Sequence, residues 1–153
     1  MAIDALIDSN VLIAILAEAH EHHGPSLGLL VDGRGAQFAI TAHSYAEAYN
    51  TLTRRGDRAP FQFSSEEAWA ALESVRAVTS LVGLTPPQTF DAIRSYAQGG
   101  GTGARLYDRL IGEAAALHAI PVIVTWNVGH MRSLFPDLTV TTPEDFRAGE
   151  IPD

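Results

Sequence analysis

Five short strand-like runs, each too short for a helix, alternate along this chain with longer segments of helical period. That alternation restricts the fold more than any other feature. The runs are Ile3 to Ile7, Gln37 to Ile40, Thr79 to Leu84, Pro121 to Trp126 and Leu138 to Thr141. Short apolar runs bounded by turn residues suit strands buried on both faces. Val11, Leu12, Ile15, Leu16 and Ala19 recur at helical spacing after the capping triplet Asp8-Ser9-Asn10, and that helix fades near His20 to Pro25. A second short helix is expected from about Pro25 to Val31. Thr41 can cap a helix whose Ala42, Tyr45, Ala46, Tyr49 and Leu52 follow the 3.6-residue period, with Arg54, Arg55 and Gly56 ending it. After a loop from Gly56 to Phe63, Ser64-Ser65-Glu66-Glu67 opens a helix to about Arg76 in capping-box style. Pro86 and Pro87 begin another through Ile93 and Tyr96, and a last long one runs from about Gly103 to His118. Such alternation predicts an α/β domain with a largely parallel central sheet. Without repeats, low-complexity segments or a dividing linker, residues 1–153 read as a single domain.

At 153 residues, with 46% hydrophobic, the chain can bury one sufficient core without disulfides or a structural metal. The lack of cysteine excludes thiol catalysis, thiolate zinc sites and a disulfide framework, and suits a reducing cytoplasm. The first residues carry acids at Asp4 and Asp8 in place of the basic start of a signal peptide. No apolar run approaches the roughly 20 residues that span a bilayer, so the expectation is a soluble cytoplasmic protein without a membrane partner. A net charge of −8 argues against broad attraction to nucleic acid. A nucleic-acid substrate would need local help from metal ions and a few arginines.

In parallel sheets the working site lies beyond the carboxyl ends of the strands, a rule that selects residues. Asp8 ends the first strand, Thr125 to Asn127 finish the fourth, and the helices carrying Glu47 and Asp108 begin on the same side. Each acid has an ordinary alternative. Asp8 can cap the following helix, Glu47 can be a solvated helix residue, and Asp108 can simply favour a helix dipole. Together they point further, because each stands among small or apolar neighbours on a different element. Three converging carboxylates repel one another, and a hard divalent cation makes such a cluster tolerable. Oxygen ligands suit Mg²⁺ or Mn²⁺, whereas no histidine or thiolate zinc pattern emerges. The cluster His20, His22, His23 is expected to be a solvated turn. Gly99 to Gly103 lacks the lysine of a phosphate-binding loop and reads as a flexible connector.

The ordered motifs Leu6-Ile7-Asp8-Ser9-Asn10-Val11-Leu12, Ser44-Tyr45-Ala46-Glu47-Ala48-Tyr49-Asn50-Thr51-Leu52-Thr53-Arg54, Tyr107-Asp108-Arg109-Leu110-Ile111 and Val124-Thr125-Trp126-Asn127 with His130 resemble those of PIN domains. The resemblance is nearest to the VapC toxins of bacterial toxin–antitoxin pairs and runs from Ile3 to about Phe146. It implies a PIN-like three-layer fold, Mg²⁺- or Mn²⁺-dependent endoribonuclease activity on RNA, homodimerisation and inhibition by a VapB-like antitoxin. Carried over by position, Asp8, Glu47 and Asp108 match the acidic metal ligands. Asn127 stands where many members have a fourth aspartate, which leaves a second metal site short of charge. Ser9 and Asn10 match the polar residues after the first acid, and Thr125 the hydroxyl before the fourth position. Asn10, Arg54, Arg105 and Thr125 are candidate substrate contacts. Arg54 lies two helical turns beyond Glu47, and Arg105 one turn before Asp108. His130, three residues after Asn127, can approach the site or pack. A non-toxin PIN nuclease of RNA processing and a catalytically silent PIN-fold binding domain are the competing readings.

Overall fold

The computed structural model of the protein describes residues 2–32 and 35–149. Residues 1, 33, 34 and 150–153 of the expected single domain lie outside the described residues. The elements are β1 (Ala5–Ile7), α1 (Ser9–Leu16), α2 (His23–Val31), β2 (Phe38–Thr41), α3 (Ala42–Thr53), α4 (Ser65–Arg76), β3 (Ser80–Val82), α5 (Pro86–Gln98), α6 (Arg105–Leu117), β4 (Val122–Val124), α7 (Val128–Leu134), β5 (Thr139–Thr141) and α8 (Pro143–Ala148). All five strands pair in parallel, in the order β3-β2-β1-β4-β5.

Side chains alternate across this sheet and divide the core into two layers. Ala5, Ile7, Phe38, Ile40, Val122 and Val124 pack with Val11 and Leu12 of α1, Leu29 of α2, Ala48 of α3 and Leu72 of α4. Leu6, Ala39, Ile123 and Val140 pack on the other face with Ile111 and Ala115 of α6 and Met131 of α7. Because helices cover both faces, the inner strands read as unbroken apolar runs. A smaller cluster of Ala17, Leu52 and Ala68, with Phe61 and Phe63 against it, anchors the loop between α3 and α4.

Several helix starts follow directly from side-chain chemistry. The hydroxyls of Thr41, Ser64, Thr85 and Thr142 each accept a backbone N–H in the first turn of the helix they precede. Glu67 and Gln88 return the bond to complete capping boxes at α4 and α5. Gly112 is needed where α6 approaches α7, since a Cβ there would collide with the ring of Phe135.

The structure corrects the expected elements in a few places. β4 ends at Val124, so Thr125, Trp126 and Asn127 lie in the turn beyond it. α2 starts at His23, two residues before the expected boundary, and α8 joins the fold after β5. The glycine run connects α5 to α6 through a turn in which Gly101 N donates to Tyr96 O and the Tyr96 hydroxyl donates to Thr102 O. No described helix is long and apolar enough to cross a membrane.

The strand order fixes where a site can form. From β1 the chain winds outward to β2 and β3, then returns to add β4 and β5 on the opposite side. The carboxyl ends of β1 and β4 therefore flank a topological switch point, the crevice in which parallel sheets bind ligands. Asp8 follows one of these ends and Thr125 the other.

Candidate metal centre

The floor of this crevice is a buried polar bay. Asp8 is only 3% exposed. Its Oδ1 accepts the Ser9 amide at 2.7 Å, and its Oδ2 accepts the Thr125 hydroxyl at 2.8 Å. The residue thus occupies the N-cap of α1 and faces the site at once. Thr125 Oγ1 in turn accepts from Asn10 Nδ2 at 3.1 Å and from the Asn127 amide at 3.0 Å. Asn10 Oδ1 accepts the Trp126 amide at 3.1 Å. Behind Asp8, Ser9 Oγ donates to Ser44 Oγ at 2.8 Å, and Thr41 Oγ1 donates to the same atom at 2.9 Å. Side chains thereby tie the exits of β1, β2 and β4 together.

Burial dominates the acidity of Asp8 and pushes its carboxyl up to about 6. The Thr125 and Ser9 hydrogen bonds oppose that rise, while the charges of Asp108 and Glu47 add to it. Both other acids are therefore near enough for Asp8 to feel them.

The rim is built differently. Glu47 sits in the second turn of α3, its side chain 35% exposed, with Oε1 2.7 Å from His43 Nε2. That contact lacks hydrogen-bond geometry, so Oε1 is a buried oxygen without a hydrogen-bond partner. Asp108 lies in the first turn of α6, its Oδ2 3.3 Å from Nε2 of His130 on α7. His130 Nε2 is likewise buried without a hydrogen bond. Burial raises the Asp108 carboxyl above its ordinary value, against the lowering pull of His130 and Arg105. Among the described residues, no three histidine or acidic side chains stand at ligand spacing around one point. Glu47 and Asp108 are instead each in contact with an imidazole.

The donor chemistry fits a hard divalent cation. The available groups are carboxylate oxygens and the amide oxygen of Asn127, the set preferred by Mg²⁺ and Mn²⁺. Asp8 has its ionised form disfavoured, and Glu47 Oε1 lacks a partner; a cation bound beside either acid would relieve that acid's deficit.

Other sequence candidates fall in varied places. Asn127 occupies the N-cap position of α7, yet its side chain makes no capping bond, and the residue is exposed. Arg105, in the first turn of α6, is close enough for its charge to act on Asp108. Arg54 is the exposed C-cap of α3, roughly 10 Å of helix rise beyond Glu47. It groups there with Arg55, Asp57 and Arg58. The histidine segment is the expected turn and part-exposed, with the His22 side chain 39% exposed, and its imidazoles make local contacts besides. His20 Nδ1 accepts the His22 amide, His22 stacks on Trp126 with centroids 4.1 Å apart, and His23 Nδ1 lies 2.8 Å from Ala14 O. Sequence reasoning missed His43 and Ser44. His43 precedes Glu47 by one helical turn on the same face, a signal the sequence did carry.

A PIN-domain family model matches residues 5–129 of the chain. No curated protein matches it in sequence. Among solved structures it is similar to VapC20 of Mycobacterium tuberculosis, described as a sarcin–ricin loop cleaving toxin, with a TM-score of 0.66 and 14% identity over 85% of this chain and 95% of that one. It is also similar to VapBC2 from Rickettsia felis, solved on a DNA fragment from their promoter, with a TM-score of 0.62, 15% identity and coverage of 90% and 97%. VapBC-1 from nontypeable Haemophilus influenzae gives 0.61 and 14%, with coverage of 92% and 98%. At these identities the likeness speaks for the fold.

Proposed function

The chain belongs to the PIN-domain family, and on that premise we propose that it is a Mg²⁺- or Mn²⁺-dependent endoribonuclease, the toxin of a toxin–antitoxin pair. The observation that carries this reading is Asp8. It is a buried carboxylate at the switch point of a parallel sheet, held near pKa 6 with the charge of two further carboxylates on it.

Asp8, Glu47 and Asp108 would hold the cation, with Asn127 offering a neutral oxygen. A cation bound there would supply Lewis acidity, offsetting phosphate charge and making water a better nucleophile. The chain's own residues do the positioning. Thr125 donates to Asp8 Oδ2 and so fixes the plane of that carboxylate, while Asn10 braces Thr125 and the Trp126 amide. His43 and His130 lie against the two outer acids without a hydrogen bond to them. Arg105, already beside Asp108, can meet a phosphate; Asn10 would touch substrate only at the floor of the crevice, and the fully buried Thr125 acts through Asp8 instead of on substrate. Arg54 would reach RNA only along the far end of α3.

An uninhibited cytoplasmic ribonuclease is toxic to its own cell, so the reading includes a VapB-like antitoxin that covers the acidic crevice, offering arginine to its carboxylates. It also includes a homodimer, which would cover part of the apolar surface at Tyr49, Trp69 and Leu81. Incubation of purified protein with cellular RNA over a Mn²⁺ titration tests the enzymatic core of the proposal. Metal-dependent cleavage that chelation abolishes is the expected result, and intact RNA at every metal concentration contradicts it.

A further inference from the structure

Two imidazole–aromatic stacks flank the carboxylates, and only one of them is explained by packing. Trp126 stacks on His22 with an interplanar angle of 16°, donates its Nε1 proton to Ser26 Oγ at 2.9 Å and rests against the core. Trp126 is therefore a wall of the fold, with the His22 side chain 39% exposed over it. The second pair is His43 of α3 on Tyr107 of α6, with centroids 5.2 Å apart and an interplanar angle of 15°. Tyr107 is 46% exposed and the His43 side chain 41%. Here two aromatic rings lie nearly parallel in water at the rim of an acidic crevice.

We propose that the His43–Tyr107 pair is a stacking platform for an unpaired nucleobase next to the scissile phosphate. The proposal deepens the ribonuclease reading above and rests on it. Position supports it first: the edge of His43 is held against Glu47 Oε1, and Tyr107 immediately precedes Asp108. A base on this platform therefore belongs to a nucleotide whose phosphate lies at the carboxylates. His43 also lines a cavity of about 160 Å³ with Thr41, Leu84, Thr89 and Leu110, which gives a base lifted from its strand a recess beside the platform. Charge supports it second. With a net charge of −8 and acids around the crevice, general attraction to phosphate is weak. Base stacking needs no positive surface, since every base presents a π-face, and an ordered pair of rings offers it without further rearrangement. A paired base has its face occupied by its neighbours, so the platform selects unpaired segments.

Fluorescence anisotropy with a short labelled oligoadenylate, in Ca²⁺ so that the carboxylates stay neutralised and with gel analysis confirming that the probe stays intact, reads the platform directly. Tyr107→Ala should weaken binding about tenfold, the loss typical of one base–aromatic stack, and the loss should not change with salt. Tyr107→Phe, which keeps the ring, should restore most of the affinity, and circular dichroism should show all variants folded. An abasic nucleotide scanned along the oligomer should lower wild-type affinity at one position and make no difference at that position in Tyr107→Ala. Four results overturn the proposal: wild-type protein that binds no oligoadenylate, Tyr107→Ala that binds like wild type, equal losses in Tyr107→Ala and Tyr107→Phe, or unchanged RNA affinity with lost self-association. Cleavage by the wild type, measured separately with Mn²⁺, keeps the two readings apart. RNA cleavage with no dependence on Tyr107 removes the platform and leaves the ribonuclease, while ring-dependent binding without cleavage does the reverse.

Discussion

The floor and the rim of the crevice hold the same kind of side chain in opposite states. Asp8 on the floor is buried and bonded through both oxygens, within a network that links the ends of β1, β2 and β4. Glu47 and Asp108 on the rim are part-exposed, held on helices and faced by imidazoles that make no hydrogen bond to them. The floor is therefore part of what holds the sheet ends together, and the rim is not. Removing a floor residue leaves buried polar atoms unpaired, whereas removing a rim charge changes what the crevice can bind.

That contrast makes its largest prediction for a pair of variants. Asp108→Asn should reduce RNA cleavage by at least on the order of a hundredfold, beyond what loss of an outer positioning group causes, with the melting temperature nearly unchanged. Thr125→Val should damage both, because it strips hydrogen bonds from Asp8, Asn10 and the Asn127 amide, at a cost of about 2–4 kcal/mol. Cleavage assays and thermal melts on both variants check it. Equal destabilisation by the two would erase the distinction between floor and rim.

A second prediction concerns pH. The folded-state pKa of Asp8 is raised from 3.8 to about 6, so the metal-free fold favours the protonated carboxyl. Its contribution to stability is fully present below about pH 4 and is lost as the pH rises through about 6. Denaturant titrations in EDTA should therefore show wild type losing stability relative to Asp8→Asn across that window, by at most about 3 kcal/mol at neutral pH. The amide oxygen can keep the bond from Ser9, while its NH₂ reaches Thr125 only by displacing one of the two donors already on that hydroxyl. A pH-independent difference between the two proteins would place the acid in an environment unlike the one described.

The smallest predicted effect falls at Asn127. Its side chain makes no capping bond to α7, so its amide oxygen is free to face a cation. Asn127→Asp should lower the Mn²⁺ concentration giving half-maximal cleavage several-fold, and Asn127→Ala should impair cleavage less than Asp108→Asn does. An unchanged metal dependence in the aspartate variant, with stability also unchanged, would remove Asn127 from the site.

Much of this arrangement was legible in the sequence because the inner strands of the sheet are buried on both faces. Strands such as Ala5–Ile7 and Val122–Val124 have to be apolar throughout, and the polar residue that ends each run then stands out at the switch point. Asp8 and Thr125 were readable for that reason. Glu47 and Asp108 were readable as acids beside apolar helix stripes. What the sequence hid depends on contacts between distant segments. The histidine turn looks polar and solvated, and the Trp126 on which His22 stacks is about a hundred residues away. His43 and Tyr107 lie on separate helices, so nothing local announces their pairing. Arg54 shares its helix with Glu47 but sits at the opposite end, where periodicity says little about distance along the axis. α8, at six residues, is too short to display a period.

The central claim is that floor and rim acids act on one divalent cation. Electron paramagnetic resonance of Mn²⁺ titrated into the purified protein at neutral pH measures it without RNA or catalysis. Wild type should bind the ion, and Asp8→Asn, Glu47→Gln and Asp108→Asn should each weaken that binding at least tenfold. Mn²⁺ that stays free in the presence of wild type, or that binds all three variants as tightly as wild type, would contradict the account.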